Sequence, residues 1–388
     1  MINSIQNLVV KNFDDIVSIR RYLHMYPELS FNEHNTSKFI KSTLKKWGVK
    51  YESVGETGVV VLIEGYNSTS KTIAFRADFD ALPILEENEF DYCSKNQGVM
   101  HACGHDAHTA SLLGVIKVLI DLKKDFEGTI KFIFQPAEEV FPGGAKTMIE
   151  KGVLVNPNVD KIFAQHVFPE LEVGKVGFAT GTYMASADEI FVEIIGKGGH
   201  AALPHTYNNP IVAAAELISN LEDYFYKYRD KPSVFAIGFI NGDGYTNVIP
   251  EKVNIKGTFR TLDEDFRSFA HKKMQEISKK ISSKFSLKID FLVRVGYPVL
   301  ENDIDLTLST IKLAKEFLGE KNVVDLSYRM TAEDFAYYGQ IVPSCFYRLG
   351  VANKKLGITH GLHTSRFNID EEALKVGVGL MTYLALKQ

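Results

Sequence analysis

The sequence predicts an α/β protein whose mostly parallel sheet carries helices on both faces, interrupted by a small α+β domain. Strand-like and helix-like segments alternate through the first half of the chain, which is typical of a parallel sheet covered by helices. From about residue 189 the order becomes strand, helix, strand, strand, helix, strand, which is the order of a ferredoxin-like domain. At 388 residues the chain is also too long for one ordinary domain.

The elements of the first half follow from apolar periodicity and from residues that end helices. Two amphipathic helices open the chain, and the second ends at Gly48, a residue type favoured just beyond a helix C-terminus. Apolar runs typical of strands then alternate with further helical patterns. The predicted helices cover residues 14–25, 33–47, 106–122 and 145–151, and the predicted strands cover 59–63, 72–77, 129–134 and 160–164.

The second half contains the predicted insertion and a return to long helices. The insertion combines strands at 189–195, 233–240, 253–260 and 287–293 with helices at 210–228 and 263–283. Helices at 304–318 and 371–386 follow it. We therefore expect a larger domain made of residues 1–183 and 297–388, with residues 184–296 inserted as a separate ferredoxin-like domain.

Composition excludes several classes of function. The chain has 44 Lys and Arg against 48 Asp and Glu, so its net charge of −4 gives no reason to expect nucleic acid as a partner. No apolar stretch approaches the roughly 18 residues of a membrane span, and the N-terminus lacks the pattern of a secretory signal. Three cysteines are a sparse, odd set that indicates a reducing compartment. We therefore expect a cytoplasmic protein.

Four short stretches, far apart in the chain, carry side chains that bind divalent metals. Thiolate, imidazole and carboxylate are the ligand set of zinc and its first-row neighbours. Two of the stretches directly follow predicted strands, one with an acidic pair and the other with a histidine. The carboxyl ends of parallel strands meet at the edge of the sheet where ligands bind. We therefore expect these residues to be neighbours. The stretches are 100–106, 135–139, 165–166 and 361–364.

Cys103 and His105 lie just before a predicted helix that Asp106 can cap. A helix N-terminus favours negative charge, which lowers the pKa of a nearby thiol and favours the thiolate that binds metals. The alternative is a small buried cysteine beside ordinary surface histidines. The density of histidines around one cysteine, at His101, His105 and His108, favours the metal site.

Glu138 and Glu139 form an acidic pair at the end of a predicted strand. Two adjacent carboxylates are costly to bury unless both are engaged. One carboxylate on a metal and one beside it would provide a general base within reach of a metal-activated water. A solvated acidic turn is the alternative.

His166 and His363 carry little weight singly and gain it from their companions. Two carboxylates, Asp78 and Asp80, also follow a predicted strand. They could orient a ligating histidine from outside the coordination sphere, as could Asp106, or Asp78 and Asp80 could pair with Arg76 instead.

A glycine-rich loop in the insertion, residues 196–205, presents His200. The loop lacks the glycine spacing of a dinucleotide or phosphate loop, so nucleotide binding is not expected. A histidine on a flexible loop suits stabilisation of an oxyanion when a lid closes. A plain β-turn is the alternative.

Together these stretches resemble the acetylornithine deacetylase, aminoacylase and carboxypeptidase group of metallohydrolases, in its N-acyl-L-amino-acid amidohydrolase branch, which includes hippurate hydrolase. The pattern of residues 100–106 with residues 135–139 is highly specific for that branch, and the resemblance covers nearly the whole chain. The matching segments are 20–24, 27–30, 76–83, 100–108, 135–139, 196–205, 247–250, 257–260, 332–335 and 361–364.

The resemblance implies a binuclear metal centre with Glu138 as its base. The wider group places a histidine within residues 76–83, where this chain has none. That difference leaves open which metal Cys103 serves and whether it bridges both. The implied cofactors are two divalent ions, Mn²⁺ or Zn²⁺, with Co²⁺ or Ni²⁺ as substitutes in vitro. The implied ligands are Cys103, His105, Glu139, His166 and His363.

The resemblance also implies a homodimer formed through the inserted domain, which acts as a lid and dimerisation domain. In that arrangement His200 reaches the active site of the neighbouring subunit. Asn247 and Arg260 are implied to hold the carboxylate or the reaction-centre oxygen of the substrate.

We therefore expect an amidohydrolase that cleaves an N-acyl amino acid, such as an N-acetyl or N-benzoyl derivative. A metal-activated water deprotonated by Glu138 would attack the amide carbonyl, and the metals and His200 would stabilise the oxyanion. A carboxypeptidase or dipeptidase on the same scaffold is the alternative enzyme. A non-catalytic metal-binding or redox protein is the alternative class, but a storage site needs no unligated carboxylate such as Glu138. The sequence does not specify the acyl group, the amino acid or the metal.

Overall fold

The structure, a computed structural model, describes residues 1–388 and divides into two compact units. Unit 1 comprises Met1–Gly181, Glu301–Ser327 and Asp334–Gln388. Unit 2 comprises Thr182–Leu300, which overlaps the predicted insertion at 184–296, and the short segment Tyr328–Glu333. The three cysteines form no disulfide. No helix combines the length and the apolar character needed to cross a membrane.

The chain forms ten α-helices and sixteen strands. The helices are α1 (Ile2–Lys11), α2 (Phe13–Met25), α3 (His34–Lys46), α4 (His105–Asp121), α5 (Gly144–Glu150), α6 (Pro210–Tyr226), α7 (Glu264–Phe285), α8 (Ile304–Leu318), α9 (Ala336–Gly339) and α10 (Ala373–Lys387). The strands are β1 (Tyr51–Val54), β2 (Gly58–Glu64), β3 (Thr72–Asp78), β4 (Thr129–Gln135), β5 (Lys161–Glu172), β6 (Val176–Phe178), β7 (Gly181–Met184), β8 (Asp188–Ile195), β9 (Gly199–His200), β10 (Ser233–Asn241), β11 (Val248–Ile249), β12 (Lys252–Thr261), β13 (Lys288–Val295), β14 (Leu300–Asn302), β15 (Val323–Asp325) and β16 (Ser344–Ala352).

Unit 1 is built on an eight-stranded sheet in the order β1-β2-β4-β3-β5-β16-β6-β15. Strand β3 lies parallel to both β4 and β5, and β16 lies parallel to β5. The antiparallel pairs are β1 with β2, β2 with β4, and β16 with β6. The predicted α/β class with a mostly parallel sheet is therefore confirmed.

The core of unit 1 explains why the central strands have no polar face. Every residue of β3, β4 and β16 is buried, as expected for strands covered on both sides. Apolar side chains of α1, α2, α4, α8 and α10 pack into one cluster with those of the sheet.

Several features of unit 1 differ from the sequence-based expectation. Helix α1 was not predicted, nor was β16, which occupies the middle of the sheet. Strand β5 extends to Glu172, so His166 lies within the strand rather than after it. The prediction of a strand ending at 164 was wrong because the polar residues Gln165 and His166 interrupt the apolar run while remaining buried.

Unit 2 has a four-stranded antiparallel sheet in the order β10-β12-β8-β13. Alternate residues of β8 are buried, and these pack with apolar residues of α6 and α7 in a separate core. Asn209 and Asp263 cap the two helices by accepting backbone N–H groups. This is the predicted ferredoxin-like arrangement. Its role as a lid or dimerisation domain stays a prediction.

Lys131 is a buried lysine in β4 that holds the segment following α5. Its Nζ donates hydrogen bonds to the carbonyl oxygens of Val153, Val155 and Pro157 at 3.0, 2.9 and 2.9 Å. Burial lowers the pKa of Lys131 to about 8. The ammonium thus satisfies carbonyl groups that helix and sheet hydrogen bonds do not reach.

Replacing Lys131 by Met should lower the free energy of unfolding of unit 1 by about 2–4 kcal/mol, because the carbonyl groups lose their donor. Urea unfolding followed by circular dichroism measures the change. Lys124→Met, at an exposed lysine, is the matched control and should change stability by less than about 0.5 kcal/mol. Equal unfolding midpoints for the two variants would contradict this role of Lys131.

Candidate metal centre

The carboxyl ends of β3 and β4 place two acidic loops side by side. The last residue of β3, Asp78, is paired in register with Gln135, the last residue of β4. The loop after β3 contains Asp80, and the loop after β4 contains Glu138 and Glu139. Hydrogen bonds between neighbouring strands therefore set the spacing between the acidic groups that the sequence singled out.

The structure brings the five predicted metal ligands together within unit 1. Their ligand atoms form overlapping groups in which all atoms lie within 4.8 Å of one another. Cys103 belongs to two of these groups, so it lies between His105 and His166 on one side and Glu139 and His363 on the other. The three groups that contain two or more of the predicted ligands are Cys103, His105 and His166; Cys103, Glu139 and His363; and His105, Glu138 and Glu139.

Two of the histidines are held so that Nε2 can face a metal. His105 Nδ1 donates to Asp80, whose carbonyl oxygen is 3.0 Å away and whose Oδ1 is 3.2 Å away. His166 Nδ1 donates to the carbonyl oxygen of Val167 at 2.7 Å, and its Nε2 lies 3.5 Å from the Cys103 sulfur. We assign the ring protons to Nδ1 from these bonds, which leaves the Nε2 lone pairs for coordination.

Glu139 and His363 complete the cluster on its more exposed side. The N–H of Glu139 donates to Asp80 Oδ2 at 3.0 Å. The Oε1 atom of Glu139 lies 3.3 Å from His363 Nε2 and 3.9 Å from His105 Nε2. His363 has a positive φ of 60°, and its N–H donates to the carbonyl of Ala102 at 2.8 Å. A strained backbone of this kind is often found at a functional site.

Unpartnered atoms in the cluster test whether a metal fits. His105 Nε2 and Glu139 Oε1 are buried and make no hydrogen bond. Leaving such groups unpaired is costly, and a shared cation satisfies both at once. The thiolate, imidazole and carboxylate donors also match first-row divalent ions. The residues present therefore fit a divalent-metal centre.

The electrostatics of the cluster differ in one respect from the expectation. Burial raises the pKa of the Cys103 thiol, although helix α4 begins close by. The nearby Cys103 and Glu139 side chains raise the pKa of His363 to about 10. The helix N-terminus alone does not stabilise the thiolate, because burial outweighs it, and the surrounding negative groups favour a cation.

Asp78 pairs with Arg76, one of the two roles that the sequence left open, and also contacts His108, which is not a proposed ligand. Its Oδ2 accepts a hydrogen bond from Arg76 at 2.6 Å, and its Oδ1 accepts one from His108 at 2.6 Å. His108 Nε2 in turn accepts the N–H of Val167 at 2.9 Å. Both nitrogens of His108 are therefore engaged, and this histidine positions the backbone beside His166 rather than facing a metal.

The expectation that Asp106 caps helix α4 was wrong. The N-cap is Gly104, with a left-handed φ of 80°, and no side chain caps the helix. Asp106 instead accepts hydrogen bonds from Arg20 at 2.9 Å and His24 at 2.8 Å. A buried guanidinium must be paired, and this requirement draws the Asp106 carboxylate away from the helix terminus.

In unit 2, His200 and Asn247 are neighbours. Strand β9 pairs with β11 in a two-stranded ribbon, in which His200 lies opposite Val248, and the N–H of Ala201 donates to the carbonyl of Asn247 at 3.0 Å. His200 is exposed. His200 also begins a turn, in which the N–H of Leu203 donates to the His200 carbonyl at 2.8 Å. The alternative of a plain β-turn therefore stays open, and the catalytic role of His200 stays a prediction.

Arg260 also lies in unit 2, half-buried in β12. Its Nη1 donates to the carbonyl oxygen of Met330 at 3.1 Å. The roles predicted for Asn247 and Arg260 in substrate binding stay predictions.

Asp334 is a buried residue to which the sequence analysis assigned no role. Its carboxylate accepts hydrogen bonds from Arg76 at 2.7 Å, from Gln135 at 2.8 Å and from the N–H of Ala145 at 2.9 Å. Gln135 and Ala145 are the two ends of the loop that carries Glu138 and Glu139. Asp334 therefore anchors that loop, a role that only the tertiary contacts reveal.

Fold and site together define a metal-dependent hydrolase of amide bonds. The chain belongs to the peptidase family M20/M25/M40, whose sequence profile matches residues 74–387. It is 42% identical over 304 residues to an N-acyl-L-amino acid amidohydrolase of Geobacillus stearothermophilus, covering 77% of this chain and 81% of that protein.

Two further relatives extend the similarity to the whole chain. The chain is 37% identical to a thermostable carboxypeptidase of Saccharolobus solfataricus, covering 100% of this chain and 98% of that protein. A crystal structure of a Bacillus subtilis protein, described as a dinuclear metal-binding peptidase of the M20 family, superposes with a TM-score of 0.81 at 33% identity. That similarity covers 96% of this chain and 97% of the other.

Replacing Asp80 by Ala should weaken binding of a divalent metal by about 10–100-fold, because His105 and Glu139 lose the group that orients them. Competition titrations against a chromogenic chelator measure the affinity. Asp91→Ala, at an exposed aspartate, is the control and should bind metal like the unaltered protein. An Asp80 variant with unchanged affinity would show that Asp80 does not organise the centre.

Proposed function

We propose that the protein is an N-acyl amino acid amidohydrolase that cleaves the amide to a carboxylate and a free amino acid. The observation that carries this proposal is the place of Glu138, a buried carboxylate grouped with His105 and Glu139. A general base beside a metal centre can activate a water molecule for the hydrolysis of an unactivated amide. Similarity to the Geobacillus stearothermophilus amidohydrolase supports the choice of substrate class.

The centre is proposed to hold two divalent ions, Mn²⁺ or Zn²⁺, with Co²⁺ or Ni²⁺ as substitutes in vitro. The description of the related Bacillus subtilis protein as dinuclear supports the number. When bound, such ions lower the pKa of a water molecule and polarise an amide carbonyl. Because Cys103 belongs to two of the ligand groups, its sulfur would be within reach of either ion. The proposed ligands are Cys103, His105, Glu139, His166 and His363.

Glu138 acts first as base and then as acid. It takes a proton from the water whose oxygen attacks the carbonyl carbon and forms the new C–O bond. When the tetrahedral intermediate collapses, the C–N bond breaks, and Glu138 returns the proton to the leaving nitrogen. Burial of Glu138 suits this exchange, because a water-poor environment favours proton transfer between positioned groups.

His200 is proposed to stabilise the oxyanion that forms in this step. Its Nδ1 accepts the N–H of Ala202 at 3.1 Å, which leaves the ring proton on Nε2 of the neutral imidazole. An exposed Nε2–H is a donor for a developing negative charge. Asn247, the neighbour of His200 in the ribbon, and the guanidinium of Arg260 are proposed to hold the substrate carboxylate.

A homodimer through unit 2 is proposed as the active form. Strand β10 is an edge strand of the unit 2 sheet and exposes Val234, Phe239 and Ile240. Exposed apolar edges invite pairing with another chain unless they are covered. In this dimer His200 of the partner subunit completes each active site. A cytoplasmic location is proposed as well.

A carboxypeptidase or dipeptidase is the second candidate, favoured by the similarity to the Saccharolobus solfataricus carboxypeptidase. Both reactions cleave an amide next to a free carboxylate and differ in the group on the acyl side. An N-acyl amino acid presents an uncharged acyl group there, whereas a dipeptide presents an ammonium. The two activities are therefore separable by substrate alone.

The test is a screen of N-acetyl and N-benzoyl amino acids against dipeptides and carbobenzoxy-dipeptides, with Mn²⁺, Zn²⁺ or Co²⁺ added. Free amine released from the acyl amino acids, abolished by a chelator and restored by metal, supports the proposal. Release from the dipeptides alone would favour the second candidate. Full activity in chelator-stripped protein would exclude the metal-dependent mechanism.

Replacing Glu138 by Gln should lower kcat by about 10²–10⁴-fold, the usual contribution of general acid–base catalysis, and leave the metal content normal. Glu139→Gln should instead reduce metal occupancy. Steady-state kinetics and elemental analysis of both variants make the comparison. Swapped results would mean that the two carboxylates have exchanged roles.

Replacing His200 by Ala should lower kcat by about 10²–10³-fold without loss of metal, because a donor to the oxyanion acts in the transition state. Mixing inactive His200→Ala subunits with inactive Glu138→Gln subunits should restore activity, since one site of each heterodimer combines both intact residues. His205→Ala, at a second exposed histidine of the same loop, is the control and should remain active alone. Failure of a mixture that has exchanged subunits to recover would remove His200 from the neighbouring site.

A further inference from the structure

Glu33 is a fully buried carboxylate that the mechanism above does not use. It is 0% exposed and lies just before helix α3. Its Oε1 accepts two backbone N–H groups, that of Phe31 and that of Ala137, each at 2.9 Å. Its Oε2 accepts the hydroxyl of Thr57 at 3.2 Å. One side chain thus joins the segment before α3 to the residue that immediately precedes Glu138.

The two N–H groups that share Glu33 Oε1 belong to backbones with a left-handed conformation. Phe31 has a φ of 64° and Ala137 has a φ of 53°. Residues other than glycine rarely adopt this region, at a cost of roughly 1–2 kcal/mol each. The conformation persists where surrounding contacts enforce it. The shared carboxylate oxygen is such a contact for both residues.

The same segment also supports the other acidic loop of the centre. The hydroxyl of Ser30 donates to Asp80 Oδ2 at 2.7 Å, and the carbonyl of Glu28 accepts the N–H of Ala81 at 2.8 Å. Asp80 orients His105 and accepts the N–H of Glu139, as described above. Residues 28–33 therefore contact both loops from which the catalytic groups arise.

We propose that Glu33 is a positioning residue for Glu138, holding Ala137 in its left-handed conformation so that the following carboxylate joins the metal centre. The loop is closed on its other side by the N–H of Gly144, which donates to the carbonyl of Ala137 at 2.8 Å. Without Glu33, Ala137 can relax to an ordinary conformation, and this relaxation rotates the peptide that carries Glu138. This inference rests on the proposed function, in which Glu138 is the base.

The ionisation of Glu33 suggests which substitution conserves the role. Burial, and then the negative charge of Asp80, raise the pKa of Glu33 to about 7. The other groups on its carboxylate are neutral: the N–H groups of Glu33 itself, Phe31 and Ala137, and the Thr57 hydroxyl. Near neutral pH the side chain is therefore partly uncharged. Glutamine resembles that form, because its Oε1 accepts both N–H groups and its amide donates to Thr57.

The first test compares Glu33→Ala with Glu33→Gln. The Ala variant should lose about 10–100-fold in kcat, as expected for a misplaced catalytic group, with KM and metal content unchanged. The Gln variant should recover most of the activity. Glu52→Ala, at an exposed glutamate, is the matched control. Wild-type kcat in the Ala variant, or equal losses in both variants, would overturn the proposal.

A second test uses Ala137→Gly, because glycine adopts the left-handed region without the penalty of a side chain. The loss of kcat caused by Glu33→Ala should be smaller in the Ala137→Gly background than in the native one. Equal losses in the two backgrounds would show that Glu33 does not act through the conformation of Ala137.

A third measurement does not depend on catalysis. Hydrogen exchange at the Ala137 N–H should be slow in the native protein and in Glu33→Gln, and faster in Glu33→Ala. If the native protein cleaves no amide, the proposed function fails while this measurement still decides whether Glu33 holds Ala137. Unchanged exchange in Glu33→Ala would overturn the positioning role. If Glu33→Ala does not fold, Glu33→Gln and Thr57→Val are compared instead. Thr57→Val leaves the Oε1 contacts of Glu33 intact and should keep slow exchange at the Ala137 N–H.

Discussion

One buried carboxylate, that of Asp80, sets the geometry on which the metal centre depends. It accepts hydrogen bonds from the Ser30 hydroxyl, the Glu139 N–H and His105 Nδ1, three donors from separate parts of the chain. Burial would raise the pKa of Asp80, but hydrogen bonds from His105, Ser30 and the Glu139 N–H outweigh that effect, and the pKa lies below its ordinary value. A charge that is costly to bury therefore stays ionised because these donors surround it. The separation of His105 and Glu139 follows from where that anion lies.

Most of the fold follows from patterns that a short window of sequence contains. The strands of unit 2 alternate between buried and exposed residues, and helices α6 and α7 begin at Asn and Asp caps. Strand β16 has no such pattern, because it is buried on both faces yet contains Arg348 among its nine residues. That guanidinium lies 5.0 Å from the centre of the Phe346 ring. Contacts of this kind let a charged residue occupy a central strand, and they depend on neighbours that a local pattern does not include.

The role of a site residue could be predicted where its type of side chain determines that role. It could not be predicted where the role depends on a partner far away in the chain. Sulfur, imidazole and carboxylate groups identified the five proposed ligands, which the structure brings together, although their metal binding stays a prediction. The cap predicted for Asp106 was wrong, because its partner Arg20 is 86 residues away in the chain and leaves no local signal. Glu33 gave no signal for the same reason, since 104 residues separate it from Ala137. In a polar stretch between two turns, a buried glutamate looks like an exposed one.

The position of β16 between β5 and β6 has a consequence for biosynthesis. All four strands and both helices of the unit 2 sheet lie between Asp188 and Val295, so this unit can close while the C-terminus is still on the ribosome. The sheet of unit 1 lacks a central strand until Ala352 has been made. Until then β5 presents an open, apolar edge to the cell. The sheet of unit 1 is thus begun first and completed late, which leaves a strand edge to which a chaperone or another nascent chain can bind during synthesis.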